Sequence, residues 1–448
     1  MIPLIVLSVF LITFFPIHGA TPEIIFSTSA AALNKVGAVG AIRLNQQFAN
    51  STILNDYTGT EGTVQYKIHN STYKQDLIMP QQIQMFIYDG RSDTEMKWVN
   101  LSGSAIMNID YEISTVKGTS QVKVSYADGY AQVSFTMLKN QDGRPYAIEI
   151  GDLVLAKEKI SVSFNGSETD DIKNLLTPIL VDKALIEFKT YMQKAIENEG
   201  NNLNQQLAQM PMDLRLYKSV YEHFSLFDDP IAQSNYYITK MDAFAFSINQ
   251  TAPNITVESK PLPLFDPNNG KDIHMFISEA LFQNILDTKY AAGELSHKYV
   301  TSFLGRIIGM NCYATRSPNF VIMNKLNVDG SGQCNLTYQG PNNQYALAIA
   351  FDLNYEMNLT IVNSTLYLTI NNQASGLSNV RILGPTPSEL LWLAKIFNTL
   401  FGAVTNVINS ILGTNGINLA KLFPGPILNI ERYPKENHVA IYFNIGSF

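Results

Sequence analysis

Five histidines follow the first twenty residues: His69, His223, His274, His297 and His438. No two stand i, i+4 apart, so no helix can offer a pair to one metal ion, and H-E-x-x-H is absent. The chain also lacks a G-x-S-x-G elbow, a P-loop and a G-x-G-x-x-G turn. Asp228-Asp229 is the densest acidic pair, but beside Pro230 adjacent carboxylates form a turn or cap more readily than a catalytic dyad. A glycosidase needs only two carboxylates brought together in space. Asp242 and Glu258 are candidates for such a pair, and nothing in the sequence selects them. Cys312 and Cys334 have no histidine near them and cannot close a zinc site. They are either bridged or two separately buried thiols. The polar run Asp329-Gly330-Ser331-Gly332 ahead of Cys334 reads as a surface turn and favours a disulfide. The expectation is a binding protein rather than an enzyme, with no metal and no cofactor.

The composition narrows the binding partner. Of 448 residues, 46% are apolar, 11% aromatic and only 15% charged, enough material for a sizeable core and too apolar for a disordered chain. The net charge of −7 argues against a nucleic-acid partner, which would call for a basic excess. Ile2–Phe15 is a short apolar run followed by Pro16, Gly19 and Ala20, so residues 1–19 read as a secretory signal peptide and the protein as extracellular. Nine N-x-S/T acceptors, at Asn50, Asn70, Asn100, Asn165, Asn249, Asn254, Asn335, Asn358 and Asn363, suggest a glycan coat over an oily surface.

The elements that would position an apolar site follow from hydrophobic period. Ala30–Phe48 reads as an amphipathic helix, with Gly37 and Gly40 weakening it enough that packing must hold it. From Thr63 to Phe164 the period is two, with turns at Asp128-Gly129 and Asp142-Gly143, which predicts an antiparallel meander with one buried face. A long helix runs from Asp170 to Gln209, its stripe drawn from Ile172, Leu175, Leu176, Ile179, Leu185, Ile186, Met192 and Ile196, with a kink at Pro178. A strand follows at Tyr236–Ile248. The prolines of 252–271 mark a linker between an N-terminal domain, 20–251, and a C-terminal one, 272–448. The second domain repeats the order: a helix at Met275–Tyr290, strands across Tyr345–Ile370, a long helix at Pro387–Leu412 and a last strand near Val439–Ile445. Ile396–Leu412 carries no charge, yet its Asn, Thr and Ser content is too polar for an unassisted membrane span. Helices facing half-buried sheets, twice, are either plain core or the walls of apolar cavities.

The ordered set of segments resembles the family of bactericidal/permeability-increasing protein, lipopolysaccharide-binding protein and the plasma lipid-transfer proteins. Pro22–Ser27 followed by Ala30–Phe48 resembles that family's opening strand and helix, and Asp170–Gln209 its first long helix. Pro261-Leu262-Pro263 followed by His274–Phe282 resembles its linker and second barrel, and Phe423-Pro424-Gly425-Pro426 its closing segment. The resemblance implies an α+β fold of two elongated halves, each a highly twisted antiparallel sheet wrapped on long helices as a tubular lipid-binding barrel, joined by a central sheet. It also implies an apolar lipid pocket in each half. Leu33, Val36, Ile42, Leu176, Ile179 and Leu180 would line the first, and Ile277, Leu281, Ile285, Ile396, Leu400 and Val404 the second. Two features depart from the family: no cysteine lies in the first half, and that half is acidic. There are 19 Lys+Arg against 27 Asp+Glu before residue 260. The basic candidates there, Lys157, Lys159, Lys183 and Lys189, are interleaved with acids. The implied function is secreted binding or transfer of a phospholipid or related amphipathic lipid, with transient contact at a membrane or lipoprotein surface. The alternatives are an innate-defence binder of lipopolysaccharide or another microbial envelope lipid, and a glycosidase.

Overall fold

The computed structural model describes residues 21–48, 50, 52–154, 157–209, 211–249, 257, 259–303, 306–339, 344–362, 365–371, 376–384, 417–418 and 426–446. The fold is α+β and dominated by sheet. Its three helices among the described residues are α1 (Ala30–Gln47), α2 (Asp170–Gln209) and α3 (Glu279–Ala291). The chain forms two compact units. The first comprises Thr28–Met210 and Asp229–Ile238. The second comprises Pro211–Asp228 and Thr239–Ile445, with the stretch up to Ser27.

The first unit is built on one long hairpin, Asp93–Ile113 against Val116–Lys139. Each strand of it changes partner half-way. Ile83–Ile87 flanks residues 94–98 and Val64–Gln75 flanks residues 103–113; on the other side Ile160–Phe164 flanks 122–126 and Pro145–Val154 flanks 130–139. At the hand-over the register shifts twice between Trp98 and Gly103, and Asn100 and Asp128 take φ of 55° and 53°. Bulges of this kind bend a strand and raise its twist, which is how one hairpin serves two sheet directions. Asp128-Gly129 is therefore not the turn expected from its sequence. It bulges a strand that runs on unbroken for 24 residues.

The second unit repeats the device. Leu326–Gln339 and Gln344–Val362 form its long hairpin; Asn319–Ile322 flanks 326–329 and Arg306–Ala314 flanks 332–338, while Gly376–Leu383 and Thr365–Ile370 divide the other strand. Asp329-Gly330-Ser331-Gly332 lies inside the first of these strands, so the expected surface turn is extended sheet. The repeat reaches single residues. Gly103 and Gly332 are each the first residue of the long strand to pair with its second partner, and each stands directly opposite an aromatic, Tyr126 and Phe351. A Cβ on either glycine would lie 2.8 Å from the ring, so the ring folds across the bare backbone where the flanking strands part.

Helix starts follow the same repetition. Ser29 caps α1 by accepting from Ala32 N, and Ser278 caps α3 by accepting from Leu281 N, both at 3.1 Å. The second cap moves the expected helix: Ile273–Ser278 is a fully buried strand, and α3 begins only at Glu279. In α2 the expected stripe is narrower than its apolar content suggests. Leu175 and Ile186 are exposed, and the buried row is Leu176, Leu180, Ala184, Phe188, Met192, Ile196 and Gly200, every fourth residue, joined by Ile179 and Ala195. The expected helix at Pro387–Leu412 lies outside the described residues. No described helix is long and apolar enough to cross a membrane.

The remaining sheet runs in the order Asp213–Tyr217, Val220–Leu226, Tyr236–Ser247, Ile24–Ser29, Ile273–Ser278, His438–Ile445 and Ile427–Lys435. Residues 259–272 have no helix or strand, yet they are tied to the second unit: Tyr442 OH donates to Asp266 Oδ2 at 3.1 Å and Asp266 N donates to His274 Nδ1 at 3.1 Å. This unit buries an acidic cluster. Burial pushes Glu23 up to about 7, against hydrogen bonds from Ser278 and Ser259 that oppose the rise, and pushes Glu222 up to about 8, with Glu23 adding repulsion. Burial also lowers Lys289, against the pull of Glu294 and Glu222. Both carboxyls keep protons in the folded state that the unfolded chain releases above about pH 4.5. Their stabilisation is complete below that pH and is lost as pH rises through about 7 and then 8. Stability should thus fall across pH 5–8 by up to about 1.4 kcal/mol per pH unit for each carboxyl. Melting curves at several pH values should show the decline, flattened in Glu222→Gln; an unchanged slope would place these protons on other groups.

Cys312 and Cys334 are bridged, and they face each other directly in the register of their two strands with Cα atoms 4.0 Å apart. Neither is a free buried thiol. The bridge spans 22 residues and is worth on the order of 3 kcal/mol in the chain-entropy model. Replacing both cysteines with alanine should lower the denaturation free energy of the second unit by about that amount. Non-reducing peptide mapping of the native protein should recover the two peptides joined.

Candidate apolar site of the first unit

The interior of the first unit is the candidate site, because there both helices meet the inner face of the long hairpin. Three elements converge on an aromatic group. Phe188 of α2 lies 4.9 Å from Tyr73 and 5.1 Å from Tyr126, and Tyr191 lies 5.0 Å from Tyr73 and 5.7 Å from Phe48, which caps α1. Around them Tyr66, Ile68, Met107, Ile109, Val122 and Val124 complete an apolar wall. One polar hub sits inside it. Tyr73 and Tyr126 both donate to Gln75 Oε1, their hydroxyls are 3.0 Å apart, and Gln75 Nε2 donates to Ser102 O at 2.7 Å. Burial pushes the Tyr126 phenol up to about 12 and Tyr73 well above its usual value, so both remain donors at any physiological pH.

Asparagines dock the helices onto this wall. Asn34 accepts from Met85 N at 2.5 Å, Asn45 both accepts from Ile78 N and donates to Ile78 O at 2.8 Å, and Asn204 does the same with Ala147 at 2.7 and 2.8 Å. Gly37 lets α1 press on the sheet, since a Cβ there would stand 2.9 Å from Ile83 Cγ2. Beside this wall lies an open groove of about 740 Å³, lined by Thr58, Gln65, Lys67, Asp110, Glu112 and Lys117 together with Tyr66 and Tyr111 of the interior cluster. Its charges are largely matched: Lys117 pairs with Glu112 at 2.8 Å, and Asp110 accepts from Thr119 at 2.8 Å and lies 3.2 Å from His69.

Of the residues expected to line the first pocket, Leu176, Ile179 and Leu180 are fully buried in this interior, Leu33 is half-buried on α1, and Ile42 is 45% exposed. The side chain of Val36 lies outside what is described. For the second pocket, Ile277 and Leu281 are buried, at the end of a strand and the start of α3, and Ile285 is half-buried one turn on. Ile396, Leu400 and Val404 lie outside the described residues. The hub residues Tyr73, Gln75 and Tyr126, and the ring of Phe188, were not singled out from sequence. Their signal was present: Phe188 continues the every-fourth-residue row from Leu176, and Tyr126 shares the inner face with Val122 and Val124.

The acidic candidates resolve into structure. Asp228 pairs with Lys240 at 3.0 Å and Asp229 accepts from Lys139 N at 2.7 Å, so this pair anchors loops. Asp242 is buried within its sheet, opposite Ser225, and Glu258 lies outside the described residues. No cluster of three or more metal-ligating side chains occurs among the described residues.

No family model matches the chain, and no curated protein matches it in sequence. Among solved structures it is similar to the crystal structure of lipopolysaccharide binding protein, with a TM-score of 0.60 and 13% identity over 96% of this chain and 100% of that one. The fold is that of lipopolysaccharide binding protein. P47 of Clostridium botulinum A2 is similar at a TM-score of 0.31 and 13% identity over 94% of this chain and 97% of that one. Takeout 1 of Epiphyas postvittana is similar at 0.25 and 13% over 41% of this chain and 91% of that one.

The hub gives a test of how this interior is held. Gln75→Leu leaves Tyr73 and Tyr126 only each other, so that one buried hydroxyl lacks an acceptor, and should lower stability by about 1–3 kcal/mol in urea denaturation. Adding Tyr73→Phe and Tyr126→Phe to it should recover most of the loss, because no polar group of the hub side chains then remains.

Proposed function

We propose that this chain is a secreted, glycosylated lipid-binding protein that holds the acyl chains of a phospholipid-like lipid in an apolar site of each unit and exchanges them at membrane or lipoprotein surfaces. The observation that carries the reading is the match, over almost the whole chain, to the fold of a protein named for binding a lipid. The first unit supplies a matching interior, two helices against a curled sheet with aromatic and aliphatic side chains between them. Acyl burial at about 0.8 kcal/mol per CH₂ provides ample affinity without charge. Six of the nine glycan acceptors, Asn50, Asn70, Asn100, Asn165, Asn249 and Asn358, are exposed and open to modification; Asn335 is half-buried, and Asn254 and Asn363 lie outside the described residues.

Charge ranks phospholipid above lipopolysaccharide as the ligand. Capture of an anionic head group calls for unpaired cations, whereas Lys159 pairs with Asp128 at 3.1 Å and Lys183 lies over the Tyr57 ring at 5.9 Å. Mass spectrometry of the natively purified protein should find co-purified diacyl lipid. Titrations at low and high NaCl should give similar binding of zwitterionic phospholipid, since acyl burial is insensitive to modest salt, and weak binding of lipopolysaccharide. Tight lipopolysaccharide binding that collapses with salt would put the defence reading first.

A further inference from the structure

Several polar atoms of the first unit are buried without a hydrogen-bond partner among the described residues, Ser71 Oγ and Glu168 Oε2 among them, and two of them share one strand of the interior wall. The indole N–H of Trp98, a side chain only 2% exposed, and the hydroxyl of Thr94, 1% exposed, have no hydrogen-bond partner among the described residues. They sit four residues apart on one strand and so project from the same face, about 13 Å apart at 3.3 Å per residue. Their neighbours across the strand are Ile83 for Trp98 and Ile87 for Thr94, with Met85 between, on the strand against which α1 packs through Gly37. Elsewhere in this interior the buried polar atoms of Tyr73, Tyr126 and Gln75 are satisfied. An unmet buried donor destabilises a fold by an amount that a ligand acceptor would recover.

We propose that this stretch of wall is the polar anchor of the lipid site, with Trp98 Nε1–H donating to an ester carbonyl of the bound lipid while Thr94 offers a second hydrogen bond further along. Trp98 is a binding residue, not a catalytic one. This rests on the reading of the chain as a lipid-binding protein and names what that site recognises: an apolar chain carrying an ester, not a bare hydrocarbon. An indole can only donate, so the ligand atom must be an acceptor. An ether-linked lipid keeps the chains and the head group and loses only the carbonyl.

The test compares diacyl phosphatidylcholine with its dialkyl-ether analogue of equal chain length. The full-length protein should bind the ester form roughly five- to ten-fold more tightly, the factor a single neutral hydrogen bond supplies. Trp98→Phe should bind both forms alike, at about the affinity of the wild-type protein for the ether. In a Trp392→Phe background Trp98 is the sole tryptophan, and lipid brominated near the ester should quench its fluorescence. Equal binding of the two lipids by the wild-type protein would overturn the anchor, and so would an ester preference that survives in Trp98→Phe; a buried water on the indole would give the first of these. If Trp98→Phe does not fold, the wild-type ester preference and the quenching decide. Failure to bind either lipid would instead overturn the lipid-binding reading itself.

Discussion

The constraint from which the first unit follows is the winding of one buried row on α2. Residues every four positions along a helix of 3.6 residues per turn advance by about 40°, so the seven residues from Leu176 to Gly200 sweep through roughly 240°. A flat sheet can cover only one side of such a helix. The wall must curl with the row, and it must do so without losing ladder hydrogen bonds in an apolar interior. The long hairpin meets both demands by bulging at Asn100 and Asp128 and changing flanking strands there. Gly103 then admits the Tyr126 ring where the flanking strands part. Twist, bulge and ring are one solution to one geometric demand.

Enclosing so large an apolar surface leaves few places for polar groups, and the polar atoms that remain are correspondingly informative. Gln75 ties its own strand to both strands of the long hairpin, through Tyr126 on one and Ser102 on the other, and gives the buried hydroxyls of Tyr73 and Tyr126 an acceptor. Asn45 and Asn204 clamp a backbone N–H and C=O at once, which fixes each helix in register against the sheet as no apolar contact can. Trp98 and Thr94 differ from the other unmet atoms of the unit, Ser71 Oγ and Glu168 Oε2 among them, in sharing one strand and one face.

Much of this was legible in the sequence where one physical signal dominated. The bounds of α2 follow from Asp170 and Asp171 at its start and the long helical period behind them, and the meander follows from its period of two. Where two signals competed, the local one misled. Asp128-Gly129 and Asp329–Gly332 carry turn residues, yet both lie in unbroken strands, because the same tolerance of unusual backbone and close approach serves a bulge or an aromatic lid as well as a turn. Met275–Ser278 reads as the start of a helix but completes a strand from Ile273, because a fully buried strand shows no alternation. The asparagine clamps were invisible for a different reason. Asn is a poor helix former, so its presence at 34, 45 and 204 hints at tertiary bonding, but nothing local names the partner.

The two long hairpins show how far a shared topology constrains its chemistry. Both hand over from one flanking strand to the next at a glycine opposite an aromatic ring, Gly103 with Tyr126 and Gly332 with Phe351, which marks the bend itself as the conserved feature within the chain. What secures the neighbouring strand differs. In the first unit Val64–Gln75 is held beside the bend by the Gln75 hub, which sits among the rings of the apolar interior. In the second, the strand in the same topological place, Arg306–Ala314, is held two residues past Gly332 by the Cys312–Cys334 bond. A hydrogen-bonded hub draws its strength from exclusion of water and so depends on the interior around it staying apolar, whether side chains or a lipid fill it; a covalent bond has no such dependence. The first unit's bend thus leans on an apolar interior through its hydrogen-bonded hub, whereas the second unit's has in addition a covalent tie that does not.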